Sequence, residues 1–296
     1  MKQAYLKLHI ALILAGFTGI FGKLITLNAG LISWYRLFLS SIIMLLFFAI
    51  KGKLPAINNK SKLQISFTGL LLGIHWILFY GSIKYSNVSV GVVCFALSSF
   101  FNAILNPIVN KRKLSVQELL LSGLTLLGIG LIFGMDASYR LGITLGVFSS
   151  MFSALYTLYS ERIVKDYDGQ TFMLWQMSGG CIGLTLLMPL VLWLSPVNTI
   201  IPSAADFGWL VVLAAFCTVL LYFLINATLK KIPSFTVSLT FNLEPLYTIL
   251  LAIVIFKEGR EFTVSFYCGL ALIISSLVLQ MYRLKKQSVK RDELAL

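Results

Sequence analysis

Acidic residues are scarce in this chain. Eleven Asp and Glu stand against 24 Lys and Arg in 296 residues, and only 12% of the chain is charged. Ten of the acids fall in loops, tails or the ends of apolar runs, and only Glu244 lies deep inside one. Long polar stretches are also missing, which leaves no room for a separate soluble domain. The four cysteines, Cys94, Cys181, Cys217 and Cys268, all sit within apolar runs and include no Cys-x-x-Cys pair, which argues against a disulfide framework or a structural zinc site. The two histidines, His9 and His75, are far apart in the chain, so no metal ligand set is expected. Paired aspartates and His-Glu-x-x-His at membrane depth are lacking, so no catalytic residues are assigned and an intramembrane enzyme is disfavoured. A phosphate-binding Gly-x-x-x-x-Gly-Lys-Ser/Thr loop is absent as well; no cofactor is expected, and the chain does not read as an ATP-driven pump. The net charge of +13 does not indicate nucleic-acid binding, because no basic stripe exists outside short loops. Basic loops facing anionic lipid account for it, at about 1 kcal/mol per charge near the surface.

What fills the chain is apolar sequence: 58% hydrophobic, with a mean hydropathy of +0.89. Ten runs are predicted to cross a membrane, at residues 8–27, 30–50, 64–83, 87–109, 116–134, 141–160, 171–194, 207–229, 234–256 and 262–281. Most approach the ~20 residues needed to cover ~30 Å of hydrocarbon. All must be helical, since no closed barrel of short alternating strands is visible. With the N-terminus placed inside, 18 of the Lys and Arg residues fall on inner segments and four on outer loops. That bias predicts both termini in the cytoplasm. The first run follows Lys2 and Lys7 and reaches Leu27. It exceeds the ~7–15 residues of a signal-peptide core and reads as a span.

The spans divide into two sets of five. A first repeat covers 1–136, a second covers 137–282, and residues 283–296 form a basic cytoplasmic tail. Ile83-Lys84-Tyr85-Ser86-Asn87-Val88-Ser89 in the first half parallels Leu229-Lys230-Lys231-Ile232-Pro233-Ser234-Phe235 in the second. Because five is odd, the second repeat must insert upside down relative to the first. Inverted repeats of this kind are the usual architecture of secondary transporters, whose substrate sites lie near the midplane between the repeats. The expected fold is therefore an all-α membrane protein of ten transmembrane helices in two inverted repeats, set in a bacterial-type inner membrane. Its partners would be membrane lipid and a small-molecule substrate.

Ionisable groups at membrane depth cost at least ~2.5–3.5 kcal/mol on insertion scales, so each marks a candidate site. Glu244 falls about ten residues into the ninth span, next to Pro245, which frees a backbone carbonyl one turn earlier. It can hold a proton or a cationic group, or brace a kink. His75 lies near the centre of the third span, and Trp76, Phe79 and Tyr80 extend an aromatic strip along the same side. Arg36 stands about six residues into the second span. It is a candidate for pairing with Glu244 or for holding a substrate carboxylate on its planar fork. Lys23 reads as snorkelling outward. Tyr156, Gln176 and Asn242 are further polar candidates for substrate binding, and they are as well suited to bonding between helices.

In these residues the chain resembles the drug/metabolite transporter superfamily, and within it the EamA-type permeases. His75-Trp76 and the run from Ile83 to Val90 carry the resemblance in the first half. Phe235-Thr236-Val237, Asn242-Leu243-Glu244-Pro245, Glu258 and Phe266-Tyr267-Cys268-Gly269 carry it in the second. The family's usual acid near the end of span 4 is absent, since Asn110-Lys111-Arg112-Lys113 stands there. The resemblance implies a central cavity between the halves, alternating access, and export of amino acids or other metabolites. It implies His75, Trp76 and Tyr80 as cavity residues. Flipping of a lipid-linked substrate is the alternative within the same class.

Overall fold

The protein is described here from a computed structural model, which covers residues 2–52, 56–111, 116–133, 137–197, 199–229, 243–257 and 264–293. Among these residues there is helix and no strand. The helices are α1 (Lys2–Leu24), α2 (Ala29–Ile50), α3 (Asn59–Tyr85), α4 (Val88–Phe95), α5 (Ser98–Asn110) and α6 (Val116–Phe133). They continue with α7 (Arg140–Ile163), α8 (Gly169–Leu194), α9 (Ala204–Ala214), α10 (Leu221–Leu229), α11 (Glu244–Phe256) and α12 (Val264–Glu293).

Local chemistry explains where these helices start. Asn28, Asn58 and Asn87 each turn a side-chain oxygen onto a backbone N–H of the first turn, of Leu31, Ser61 and Val90 respectively, at 2.7–2.8 Å. Asp168 does the same for Gln170 and Thr171 at 3.0 Å, and Ser203 for Asp206 at 3.1 Å. Such caps satisfy amides that the helix itself leaves unpaired, which matters most where no water competes.

Two expected spans are interrupted. The fourth is divided into α4 and α5, because Ala96 and Leu97 bond back three residues to Val93 and Cys94 and tighten the helix locally. The eighth comprises α9, a π turn at Ala215–Leu220, and α10. The ninth, expected at 234–256, is described only from Leu243 on. Glu244 is the first residue of α11, following Leu243. Pro245 sits in the first turn, where its missing N–H costs nothing and its fixed φ suits helix entry. The last helix runs past the expected end at residue 281 as far as Glu293.

Seven of these segments are long and apolar enough to cross a membrane, and Leu119–Leu131, Glu244–Phe256 and Val264–Ser276 are shorter apolar helices. Large apolar side chains such as Ile50, Leu186, Trp193 and Val254 stand outward on the bundle, three-quarters exposed or more. A surface of that kind fits lipid rather than water. The protein is a multi-pass membrane protein.

Helices from the two ends of the sequence interleave. α3 packs against α1, α2, α4, α7 and α8; α1 packs against α10 and α11; α6 packs against α12. The α3–α8 crossing is tight. A Cβ on Gly69 would collide with the carbonyl oxygen of Gln176, and one on Gly180 would lie 2.6 Å from the carbonyl oxygen of Gly69. Small residues at such a crossing replace the hydrophobic drive that lipid does not provide.

Candidate functional site

A cavity of about 320 Å³ lies among helices drawn from the whole length of the chain. Ala15 and Thr18 of α1, Arg36 of α2, Leu72, His75, Trp76 and Phe79 of α3, and Phe95 of α4 line it. So do Ser153, Tyr156 and Thr157 of α7, Cys217 of the π turn, Leu221, Tyr222 and Ile225 of α10, and Glu244 of α11. Its walls are mostly apolar and aromatic, with a few polar groups converging on them, as in small-molecule sites generally.

Arg36 is the most heavily engaged of these groups. It is 4% exposed. Its Nε donates to the Thr218 hydroxyl at 2.9 Å, one terminal nitrogen to the Tyr80 hydroxyl at 2.8 Å, and the other to the Cys217 carbonyl at 3.0 Å. The guanidinium lies over the Trp76 ring, 3.8 Å from its centroid. The π turn makes part of this possible. A helix widened to the π pattern no longer commits every carbonyl to its own ladder, and here Cys217 turns its carbonyl to Arg36. Thr218 is held in turn by its own bond to the Leu213 carbonyl at 3.2 Å. All three acceptors are neutral.

His75 is fixed from one side. Its Nδ1 stands 3.0 Å from the Ser149 carbonyl, while the Ser149 hydroxyl lies 2.9 Å from the same nitrogen and donates to the His75 carbonyl at 3.1 Å. Donation from Nδ1 to the carbonyl assigns the tautomer and leaves Nε2 as an acceptor. The rings of Phe79 and Phe95 flank the imidazole at 6.0 and 5.4 Å. On another wall the hydroxyls of Tyr156 and Tyr222 meet at 3.0 Å. Glu244 opens α11, where a carboxylate also complements the positive end of the helix dipole.

Of the residues singled out from the sequence, Arg36, His75, Trp76, Tyr156 and Glu244 share the cavity wall. Arg36 and Glu244 form no ion pair within 4 Å, although each lies within the other's electrostatic reach. Tyr80 stands one layer behind, fully buried under Arg36, in space that Gly22 leaves for its ring. Gln176 is fully buried in the α3–α8 seam and donates to the Thr68 hydroxyl at 3.0 Å. Asn242 lies outside the described residues. Sequence reasoning missed Thr218, the Cys217 carbonyl, Ser149 and Tyr222. A backbone carbonyl bared by a π turn leaves no mark in sequence. Thr218 and Tyr222, four apart on one helix face, were the only available hint. Among the described residues, no group of three or more His, Cys, Asp or Glu gathers where a metal ion could be held.

Comparison with known proteins agrees with this architecture. The pattern of the EamA-like transporter family matches residues 2–134 and again 140–282. An uncharacterized transporter of Haemophilus influenzae is 28% identical over 236 residues, covering 76% of this chain and 74% of that protein. An uncharacterized transporter of Bacillus subtilis, YetK, is 24% identical over 301 residues, covering 96% of this chain and 88% of its own. GDP-fucose transporter 1 of Dictyostelium discoideum is 27% identical over 183 residues, 57% of this chain and 48% of that one. A solved crystal structure superposes with a TM-score of 0.58 at 13% identity, over 93% of this chain and 96% of the other, and shows the shared fold. With its family pattern matched across nearly its whole length, this chain belongs to the EamA-like transporters.

Proposed function

We propose that the protein is a secondary transporter that moves a small organic metabolite by alternating access around the cavity described above. In this reading ten transmembrane helices form two inverted repeats, 1–136 and 137–282, with both termini and the 283–296 tail in the cytoplasm of a bacterial cell. Amino acids or related solutes are the cargo, and export is the direction. The observation that carries the reading is the make-up of one cavity. Arg36, His75 and Trp76 come from the first half of the chain, and Tyr156, Tyr222 and Glu244 from the second. A relative rocking of the two halves would therefore rebuild the site, as alternating access requires. Asn242, two residues before Glu244 in sequence, belongs to the same proposed binding set, with Tyr80 and Gln176 supporting the wall from behind. If transport is coupled to protons, Glu244 is the first carrier to test and His75 the second.

The test is flux in liposomes holding the purified full-length protein, against a broad metabolite panel. Movement of at least one solute is expected, with loss in His75→Ala and in Glu244→Gln. A folded protein that moves nothing on the panel overturns the reading.

A further inference from the structure

Arg36 is a cation held in place with donors to spare. A guanidinium has five N–H groups, and the protein supplies acceptors for three of them, all neutral. The remaining two belong to a side chain that lines the cavity. The group cannot swing away. Thr218 and Cys217 fix it from the π turn, Tyr80 from α3, and the Trp76 ring from one face. A buried cation with only neutral partners is expensive, and an arginine, unlike a lysine, cannot shed its charge by giving up a proton. The arrangement makes sense if an anionic group completes it.

The rest of the wall narrows what that group is. Among the described lining residues Arg36 is the only lysine or arginine, and Glu244 stands in the same cavity. A doubly charged phosphate would meet one cation and one acid, whereas a single carboxylate is matched by the one positive charge and by the N–H left on each terminal nitrogen. Leu72, Phe79, Phe95 and Leu221 supply the apolar remainder. At about 320 Å³ the space suits a compact solute.

We propose, building on the transporter reading, that the cargo carries one carboxylate on an apolar body, that Arg36 binds the carboxylate, and that Tyr80 and Thr218 act as positioning residues for it. A nucleoside diphosphate sugar is excluded by this assignment.

The experiment measures ligand-induced thermal stabilisation of the purified full-length protein with matched probes. These are leucine beside leucinamide, phenylacetate beside phenylacetamide, and phenyl phosphate as the dianion. Each carboxylate is expected to bind at least about tenfold more tightly than its amide, because a site built around a charged hydrogen bond rejects the analogue that lacks it. Phenyl phosphate is expected to bind no better than phenylacetate. Arg36→Gln should bring the carboxylate-to-amide ratio to about one, and Arg36→Lys should lower it, since a point charge replaces the fork. Tyr80→Phe leaves the cavity surface intact and should still lower the ratio. It stands in for Arg36→Gln if that variant does not fold.

The proposal is overturned if amides bind as tightly as acids, if phenyl phosphate is preferred, if the ratio survives in a folded Arg36 variant, or if no carboxylate stabilises the parent. The transporter reading is judged apart from this, by the liposome panel. A protein that moves uncharged solutes keeps that reading and loses this one.

Discussion

At the scale of single residues, the clamp around Arg36 makes a graded prediction. Thr218→Val removes the acceptor of Nε and the side-chain bond to Leu213, while Thr218→Ser keeps both. Hydrogen bonds to charged groups are worth roughly 1.5–3 kcal/mol in soluble proteins, and interhelical ones in membranes average nearer ~0.6. The valine variant is therefore expected to lose about 1 kcal/mol in reversible unfolding, and the serine variant much less. A second prediction concerns Asp168, in the exposed link before α8. Partial burial alone would raise its carboxyl. The Thr171 hydroxyl, the amides of Thr171 and Gln170, and the charge of Lys51 together hold it below the usual carboxylate range. A carboxyl whose value is depressed on folding lends stability above its unfolded value, about 3.9, and loses it as pH falls through the folded one. Asp168→Ala should cost about 1 kcal/mol at neutral pH. Asp168→Asn, which keeps a capping oxygen, should flatten the acid limb of a melting-temperature profile.

At the scale of the helix, two glycines that look alike in sequence are predicted to behave oppositely. Gly180 faces the Gly69 backbone across the α3–α8 crossing, and an added Cβ would stand 2.6 Å from a carbonyl oxygen that cannot move aside without its whole helix. Among the described residues, nothing lies within 4 Å of the same added atom on Gly123 in α6. Gly180→Ala should destabilise the protein by more than ~1 kcal/mol, whereas Gly123→Ala should gain up to ~0.5–1 kcal/mol from better helix propensity. Thermal unfolding of the two variants in one detergent checks both signs. Equal shifts would mean that the α3–α8 contact does not set stability. The contrast also shows where sequence reading stops. The apolar runs and their glycine content announce helices that pack closely, because hydropathy over twenty residues is a strong signal. Which glycine sits at a crossing depends on helix rotation and partner, and those are tertiary facts. The breaks in the fourth and eighth spans are equally silent, since neither Ala96-Leu97 nor Ala215–Leu220 contains the Pro or Gly that ordinarily marks a kink.

At the scale of the whole molecule, the charged and aromatic candidates were legible because hydrocarbon makes any ionisable residue conspicuous. Arg36, His75 and Glu244 needed no structure to be noticed. That Arg36 and Glu244 share a cavity without pairing, and that Tyr80 serves Arg36 rather than the cavity, depends on how remote helices meet. The same holds for the cluster that ties several helix ends together. Asp206 of α9 accepts from both the amide and the hydroxyl of Thr26, in the α1–α2 link, at 2.7 and 2.6 Å. The Lys84 ammonium, near the end of α3, donates to the Ile25 carbonyl, and the Asn28 amide donates to the Ser195 carbonyl after α8 at 3.2 Å. These bonds hold the ends of α1, α2, α3, α8 and α9 together on one side of the bundle. Alternating access through that side requires them to part. Cys217 is a native thiol with which to probe it, because the residue is 2% exposed and lines the cavity. With Cys94, Cys181 and Cys268 replaced by alanine, a membrane-impermeant maleimide added on the Asp206 side should alkylate Cys217 slowly in the parent. Asp206→Ala removes both acceptors of Thr26 and should raise that rate about tenfold or more, since each lost charged hydrogen bond is worth roughly 1.5–3 kcal/mol of closed-state preference. Labelling from the opposite side should fall as the closed population shrinks. An unchanged rate from the Asp206 side in a folded variant would show that these ties are bracing within a rigid bundle and that the cavity opens elsewhere.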